Sequence, residues 1–117
     1  MTMHEIRLKR AYDPPSPDDG LRILVDRLWP RGVSKVKLAL TEWMKDLAPS
    51  TDLRKWFGHE PARWVEFQRR YRAELQGNPD LERLKAMAEK QVVTLIYAAR
   101  DTRHNEAVVL RDILAGK

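Results

Sequence analysis

Residues 21–32 read LRILVDRLWPRG, and the chain changes character halfway along them. Ile23, Leu24 and Val25 form an unbroken apolar run with β-branched members, the composition of a strand covered on both faces. Asp26 and Arg27 then set opposite charges beside that run. Trp29 and Pro30 stiffen the exit, and Arg31-Gly32 ends it with a cation and a hinge. Open α/β sheets build sites where buried strands discharge polar residues from their carboxyl ends. The stretch therefore predicts a central strand with a site beside it.

A second buried strand is read over residues 91–99, QVVTLIYAA, where Val92, Val93, Leu95 and Ile96 face both layers. Its exit runs Tyr97, Ala98, Ala99, Arg100, Asp101, Thr102, Arg103, His104, Asn105 into a helix N-terminus. Free amides and the helix dipole there, with nearby arginines and His104, suit an anion. Parallel pairing of the two strands would bring Asp26, Arg27 and Arg31 to the same sheet edge as Tyr97, Asp101, His104 and Asn105. The convergence depends on that topology.

The remaining chain supplies the frame. Residues 4–12 alternate, with Ile6 and Leu8 on one side and Glu5, Arg7 and Lys9 on the other, as in a half-exposed strand. The loop DPPSPDDG over residues 13–20 is too short for a helical crossover. The first two strands are therefore either an antiparallel hairpin or not neighbours. Residues 33–39 are ambiguous, and a short helical turn is expected over Thr41 to Leu47 with Thr41 as cap. Ser50 caps a helix over Thr51 to Phe57 that stops at Gly58. Glu60-Pro61 opens a longer helix whose Trp64, Phe67, Tyr71 and Leu75 form a buried stripe. Asn78-Pro79 opens another with Leu81, Leu84 and Ala88 inward, and a last helix runs from about Asn105 to Leu114. The fold expected is α/β: one compact domain over residues 1–117, in three layers, with a small, largely parallel central sheet flanked by helices.

Composition narrows the function classes. There is no cysteine, which excludes disulfides, thiolate catalysis and Cys-ligated metals. His4, His59 and His104 are far apart and form no HExxH or HxH pair, so no metal and no cofactor are expected. Neither a Walker loop nor GxGxxG occurs. No apolar run approaches the ~20 residues of a membrane span, and the charged start is unlike a signal peptide, so a cytoplasmic location is expected. The net charge of +5 asks for an anionic partner. Arg69, Arg70 and Arg72 form the densest basic group, but Glu66 and Glu74 lie one turn away, so the face reads first as solvated surface and second as a nucleic-acid contact.

Each polar candidate has a structural reading too. Asp26 could serve only to pair with Arg27, Asn105 only to cap a helix, and His104 only to sit solvated in a loop. His59 reads as surface, and Ser50 as a cap, with no nucleophile elbow around it.

Long motifs tie these features together. ILVDRLWPRG, WMKDLAPS, LRKWFGH, FQRRYRAEL and TLIYAARD followed by Asn105 resemble the YeaO-like family of small bacterial domains of unknown function, over nearly the whole chain. The resemblance implies a compact α/β cytoplasmic domain and no established reaction. It marks Asp26, Arg27, Trp29, Pro30, Arg31, Gly32, Pro49, Ser50, Arg54, Trp56, Phe57, His59, Tyr97, Asp101 and Asn105 as signature positions. A more distant branch carries a Cys-His-Arg cluster before its last helix; here the cluster reads Arg103-His104-Asn105, without a thiol.

Together these readings predict a pocket for an anionic small molecule, phosphorylated or carboxylated. Arg27, Arg31 and Arg54 are its candidate anion clamps, because guanidinium offers a bidentate fork. Asp26 or Asp101 is the candidate base or orienting carboxylate and His104 the candidate proton shuttle. Gly32, Ser50, His59, Tyr97 and Asn105 complete the candidate ligand contacts. A nucleic-acid module using Arg69, Arg70 and Arg72, and a protein-interaction domain without chemistry, are the alternatives.

Overall fold

The computed structural model describes residues 5–117. Four parallel strands, β1 (Ile6–Arg10), β2 (Leu21–Leu24), β3 (Glu42–Trp43) and β4 (Val93–Tyr97), form one sheet in the order β1-β4-β2-β3. The two strands expected to be central are adjacent and parallel: Leu21 pairs with Val93, and Leu24 with Ile96. β1 lies on the far side of β4, with Leu8 opposite Leu95. Of the two arrangements open for β1 and β2, the structure adopts the one in which they are not neighbours. The strand expected to begin at His4 starts at Ile6 among the described residues; His4 lies outside them.

A ten-residue return between two parallel strands is short, and its sequence explains how it works. Prolines 14, 15 and 17 keep the segment extended, so it runs back along the sheet without a helix. Pro17–Asp19 then form one 3-10 turn, capped by the Ser16 side chain. Gly20 sits at φ +64, and a Cβ there would come within 2.1 Å of the Val92 carbonyl oxygen, so only glycine fits.

The sheet register separates two cores. Ile6, Leu8, Ile23, Val25, Val93, Leu95 and Tyr97 belong to the larger one. On it lie α2 (Thr51–Phe57), α3 (Trp64–Leu75), α4 (Pro79–Lys90) and α5 (Glu106–Leu114), through Phe57, Phe67, Tyr71, Leu84 and Leu110. Leu24 and Ile96 point the other way, into a small core with Leu38, Trp29 and Trp43. That face is covered by the one-turn helix α1 (Lys35–Leu38), the return loop and the segment after β2. The outer layers are thus unequal, four longer helices on one side and mostly loop on the other.

The thin side is held by a buried ion cluster. Asp19, 2 % exposed, receives Lys9 of β1 at 2.8 Å and Arg22 of β2 at 2.6 Å. Its carbonyl accepts the Thr94 hydroxyl of β4 at 2.6 Å, so one residue ties three strands together. Arg22 also donates to the Leu38 carbonyl at 2.8 Å, satisfying the end of α1.

Three sequence expectations change. The helical turn expected over Thr41 to Leu47 is an edge strand, β3, followed by a 3-10 turn over Lys45–Leu47. Thr41 bonds the backbone of Arg22 in both directions, at 3.0 and 2.8 Å, instead of capping a helix. The helix forms earlier, as α1, capped by Ser34. Trp64, expected to be buried with its stripe, is half-buried, whereas Phe67, Tyr71 and Leu75 are buried. Among the described residues no helix is long and apolar enough to cross a membrane.

Candidate functional site

β2 and β4 are parallel neighbours, so both chains leave the sheet at one edge. From β2 the chain turns toward the thin face and α1; from β4 it turns toward the helical face and α5. Adjacent strands whose connections part to opposite faces leave a crevice between them. A cleft of about 370 Å³ occupies that position.

The cleft brings together seven of the predicted site residues: Asp26, Arg27, Arg31, Arg54, His59, His104 and Asn105. Apolar surface surrounds them, including Leu28, Trp29, Pro30, Phe57 and Phe67. Four predicted residues lie elsewhere. Asp101 stands behind His104. Ser50 caps α2 through the Leu53 amide and bonds Glu74 of α3 at 2.6 Å, a clamp between helices. Tyr97 is 3 % exposed in the main core. Gly32, at φ +78, borders a separate shallow groove with Tyr12 and Val36.

Asp26 does not pair with Arg27. Its Oδ2 accepts the Ala98 amide at 2.9 Å, and its carbonyl accepts the indole N–H of Trp43 at 2.7 Å. Trp43 in turn meets Trp29 edge-on, with centroids 5.5 Å apart. Arg27 reaches the carbonyls of Ala48, at 3.2 Å, and Pro49, at 3.4 Å. Arg31 and Arg54 are exposed. Among the described residues none of the three has a carboxylate within ion-pairing distance.

The last-helix entrance is braced from within. His104 Nδ1 lies 2.8 Å from Asp101 Oδ2, while Asp101 Oδ1 accepts the amides of Arg103 and His104. The Arg103 amide, and after it the His104 ring, hold the Asp101 carboxyl below its usual range. Asn105, 2 % exposed, caps α5 through the Val108 amide and donates to the Asp101 carbonyl at 2.9 Å. Trp64 meets the His104 ring edge-on at 5.2 Å. His59 lines the cleft at φ +57, a left-handed backbone uncommon outside glycine.

Sequence reasoning missed Glu106. At the first position of α5 an acid reads as a favourable partner of the helix dipole, so nothing in the sequence sets it apart. Yet it lines the cleft beside Asp26. Burial pushes its carboxyl well above the usual range, and the nearby Asp26 pushes it the same way. The residue is half-buried as a whole, but its Oε1 is out of solvent and has no donor among the described residues.

The basic group on α3 is engaged in part. Arg69 and Arg70 both bond Glu66, at 2.6 and 2.7 Å, and Arg70 stacks over Trp56 at 4.3 Å. Among the described residues no group of three or more His, Asp or Glu side chains could hold a metal ion.

Comparison with known proteins agrees over the whole length described. The chain is 51 % identical to the uncharacterized protein YeaO of Escherichia coli K12 over 110 residues, covering 93 % of this chain and 96 % of that one. It is 41 % identical over 112 residues to uncharacterized proteins of Mycobacterium bovis and Mycobacterium tuberculosis, covering 96 % of this chain and 95 % of theirs. No solved structure matches it. The family model described as the inactive DUF488-N3 subclade matches residues 5–117, and the chain belongs to that family, the one that includes YeaO.

Proposed function

We propose that the protein binds a small anionic molecule, carrying a phosphate or carboxylate, in the cleft at the ends of β2 and β4. The observation that carries this reading is the set of three arginines, Arg27, Arg31 and Arg54, on one cleft without an internal carboxylate partner. Arg22 is paired with Asp19, Arg69 and Arg70 with Glu66, and Arg83 with Glu42 and Asp80; Arg10, Arg63, Arg72, Arg100 and Arg103 also lack a carboxylate partner among the described residues, but none of them lines this cleft. A guanidinium left facing a part-apolar cleft is matched by a ligand anion. The description of the matching family as an inactive subclade favours binding over turnover. Asp101 then has a positioning role, holding the His104 ring against Trp64.

A thermal-shift screen of sulfate, phosphate and small phosphorylated and carboxylated compounds tests this. Binding to the folded state adds about 2.7 kcal/mol at a hundredfold excess over the dissociation constant. Anions should raise the wild-type melting point, and the rise should disappear in Arg31→Ala/Arg54→Ala. Arg31 and Arg54 are the right pair to change, because Arg27 also satisfies two backbone carbonyls. A wild type that no anion stabilises, or a shift that survives the double variant, would overturn the reading.

A further inference from the structure

Anion binding leaves one feature of the cleft unused. Asp26 and Glu106 bring two carboxyls to the same cleft, from a strand exit and a helix start that are far apart in sequence. Asp26 has one donor from the chain, the Ala98 amide, and Glu106 Oε1 has none among the described residues. A buried acceptor without a donor is costly, and two carboxyls brought close are more so unless a proton or a cation joins them. The surfaces beside the pair and the arginines are aromatic and apolar, with Trp29, Phe57 and Phe67 among them. An inorganic anion would match the arginines and leave the carboxyls unmet.

We propose that the ligand is a small bipolar molecule, with an anionic group for Arg31 and Arg54 and an ammonium for the Asp26–Glu106 pair, joined by an apolar body. This rests on the anion-binding reading and adds the second half of the recognition. Inside the cleft, the ammonium supplies the donors that the chain withholds from Glu106. A volume of about 370 Å³ suits a body of one ring and a short side chain.

Two matched probes separate the halves: 4-ethylphenyl phosphate, and O-phosphotyramine, which has the same body with an ammonium at its end. Calorimetric titration of the wild type should give O-phosphotyramine an advantage of about tenfold, the usual worth of a charge-assisted hydrogen bond. The double variant Asp26→Asn/Glu106→Gln keeps the shape and the acceptor for Ala98 but removes the charge. In it the advantage of O-phosphotyramine over 4-ethylphenyl phosphate should vanish. The wild-type comparison needs no variant and stands even if the double variant folds poorly. Equal affinity of the two probes for the wild type would overturn the bipolar ligand and leave anion binding intact. Failure of both to bind, or O-phosphotyramine binding unchanged in Arg31→Ala/Arg54→Ala, would overturn anion binding and the bipolar ligand with it.

Discussion

Asp26 Oδ2 accepts the Ala98 amide at 2.9 Å, so a side-chain carboxylate takes up the hydrogen bond at the point where β2 and β4 part. The rung before it is ordinary backbone, Val25 N–H to the Ile96 carbonyl at 3.1 Å. The same carboxyl lines the cleft. Asp26→Ala should lose about 1–3 kcal/mol, the cost of leaving a half-buried amide without an acceptor. Asp26→Asn retains an acceptor and should lose clearly less. Urea denaturation of both variants decides it; equal losses would mean that the charge, and not the acceptor, matters to the fold.

Glu106 titrates higher in the folded protein than its ordinary 4.5, because of its burial and the nearby Asp26. Above that ordinary value the unfolded chain releases a proton that the folded chain keeps, so this group makes stability fall as pH rises. Arg27, Glu74 and the Tyr71 and Tyr97 hydroxyls share this surrounding. Glu106→Gln keeps the shape while removing the titration. Its stability relative to the wild type should improve as pH rises above the ordinary 4.5. A constant difference as pH rises, measured by denaturant midpoints, would show that Glu106 ionises freely.

Asp19 runs in the opposite direction. Burial would raise its carboxyl, but hydrogen bonds from Lys9, the Ser16 amide and Arg22 outweigh it and lower the pKa from 3.8 to about 2. Stability from this group is therefore complete above the unfolded value and is lost as pH falls between the two. The loss amounts to about 2 kcal/mol. Asp19→Asn should flatten that part of the acid-unfolding profile. A variant that retains the wild-type slope between pH 4 and pH 2 would place the acid-sensitive group elsewhere.

Core and cleft residues should separate on stability. Phe67, 2 % exposed and stacked between Phe57 and Tyr71, should cost about 3–5 kcal/mol as Phe67→Ala. Arg31→Ala, exposed and without an internal partner, should change stability by less than about 0.5 kcal/mol. Arg27→Ala should fall between them, near 1 kcal/mol, because the Ala48 and Pro49 carbonyls lose their donor. Melting curves of the three suffice, and an Arg31→Ala loss as large as that of Phe67→Ala would make Arg31 a structural residue.

The α3 group of Arg69, Arg70 and Arg72 should bind nucleic acid weakly at most, since Glu66 bonds two of the three and offsets one of their charges. Titration with single- and double-stranded DNA and RNA at two salt concentrations checks this, because phosphate-backbone binding weakens steeply with salt. Salt-sensitive binding that disappears in Arg69→Ala/Arg70→Ala would move function from the cleft to α3.

Much of the fold was legible because its signals are local. The apolar runs at Ile23–Val25 and Val93–Ile96 marked the central strands. Ser50, Asn78 and Asn105 marked helix starts, since each side chain satisfies an amide two or three residues away. Edge strand β3 was not legible. Its two residues carry no alternation of their own, and β2 imposes their conformation by pairing Ile23 with Glu42 and Leu24 with Trp43. The contact of Trp64 with His104 was hidden for a similar reason, because His104 is forty residues away in sequence and arrives only through the packing of α5.

By itself the sequence determined which segments are buried, where the helices begin, and that polar residues gather at two strand exits. Tertiary structure decided whether those exits meet. Parallel pairing of β2 with β4 puts both carboxyl ends on one edge, and the divergence of their connections to opposite faces opens the cleft between them. It also withdrew Tyr97 into the core, spent Ser50 on Glu74, and brought Asp26 near Glu106 across eighty residues of chain. Periodicity and capping depend on neighbours within one turn, whereas the protonation of a carboxyl depends on every charge and apolar surface that folding brings beside it.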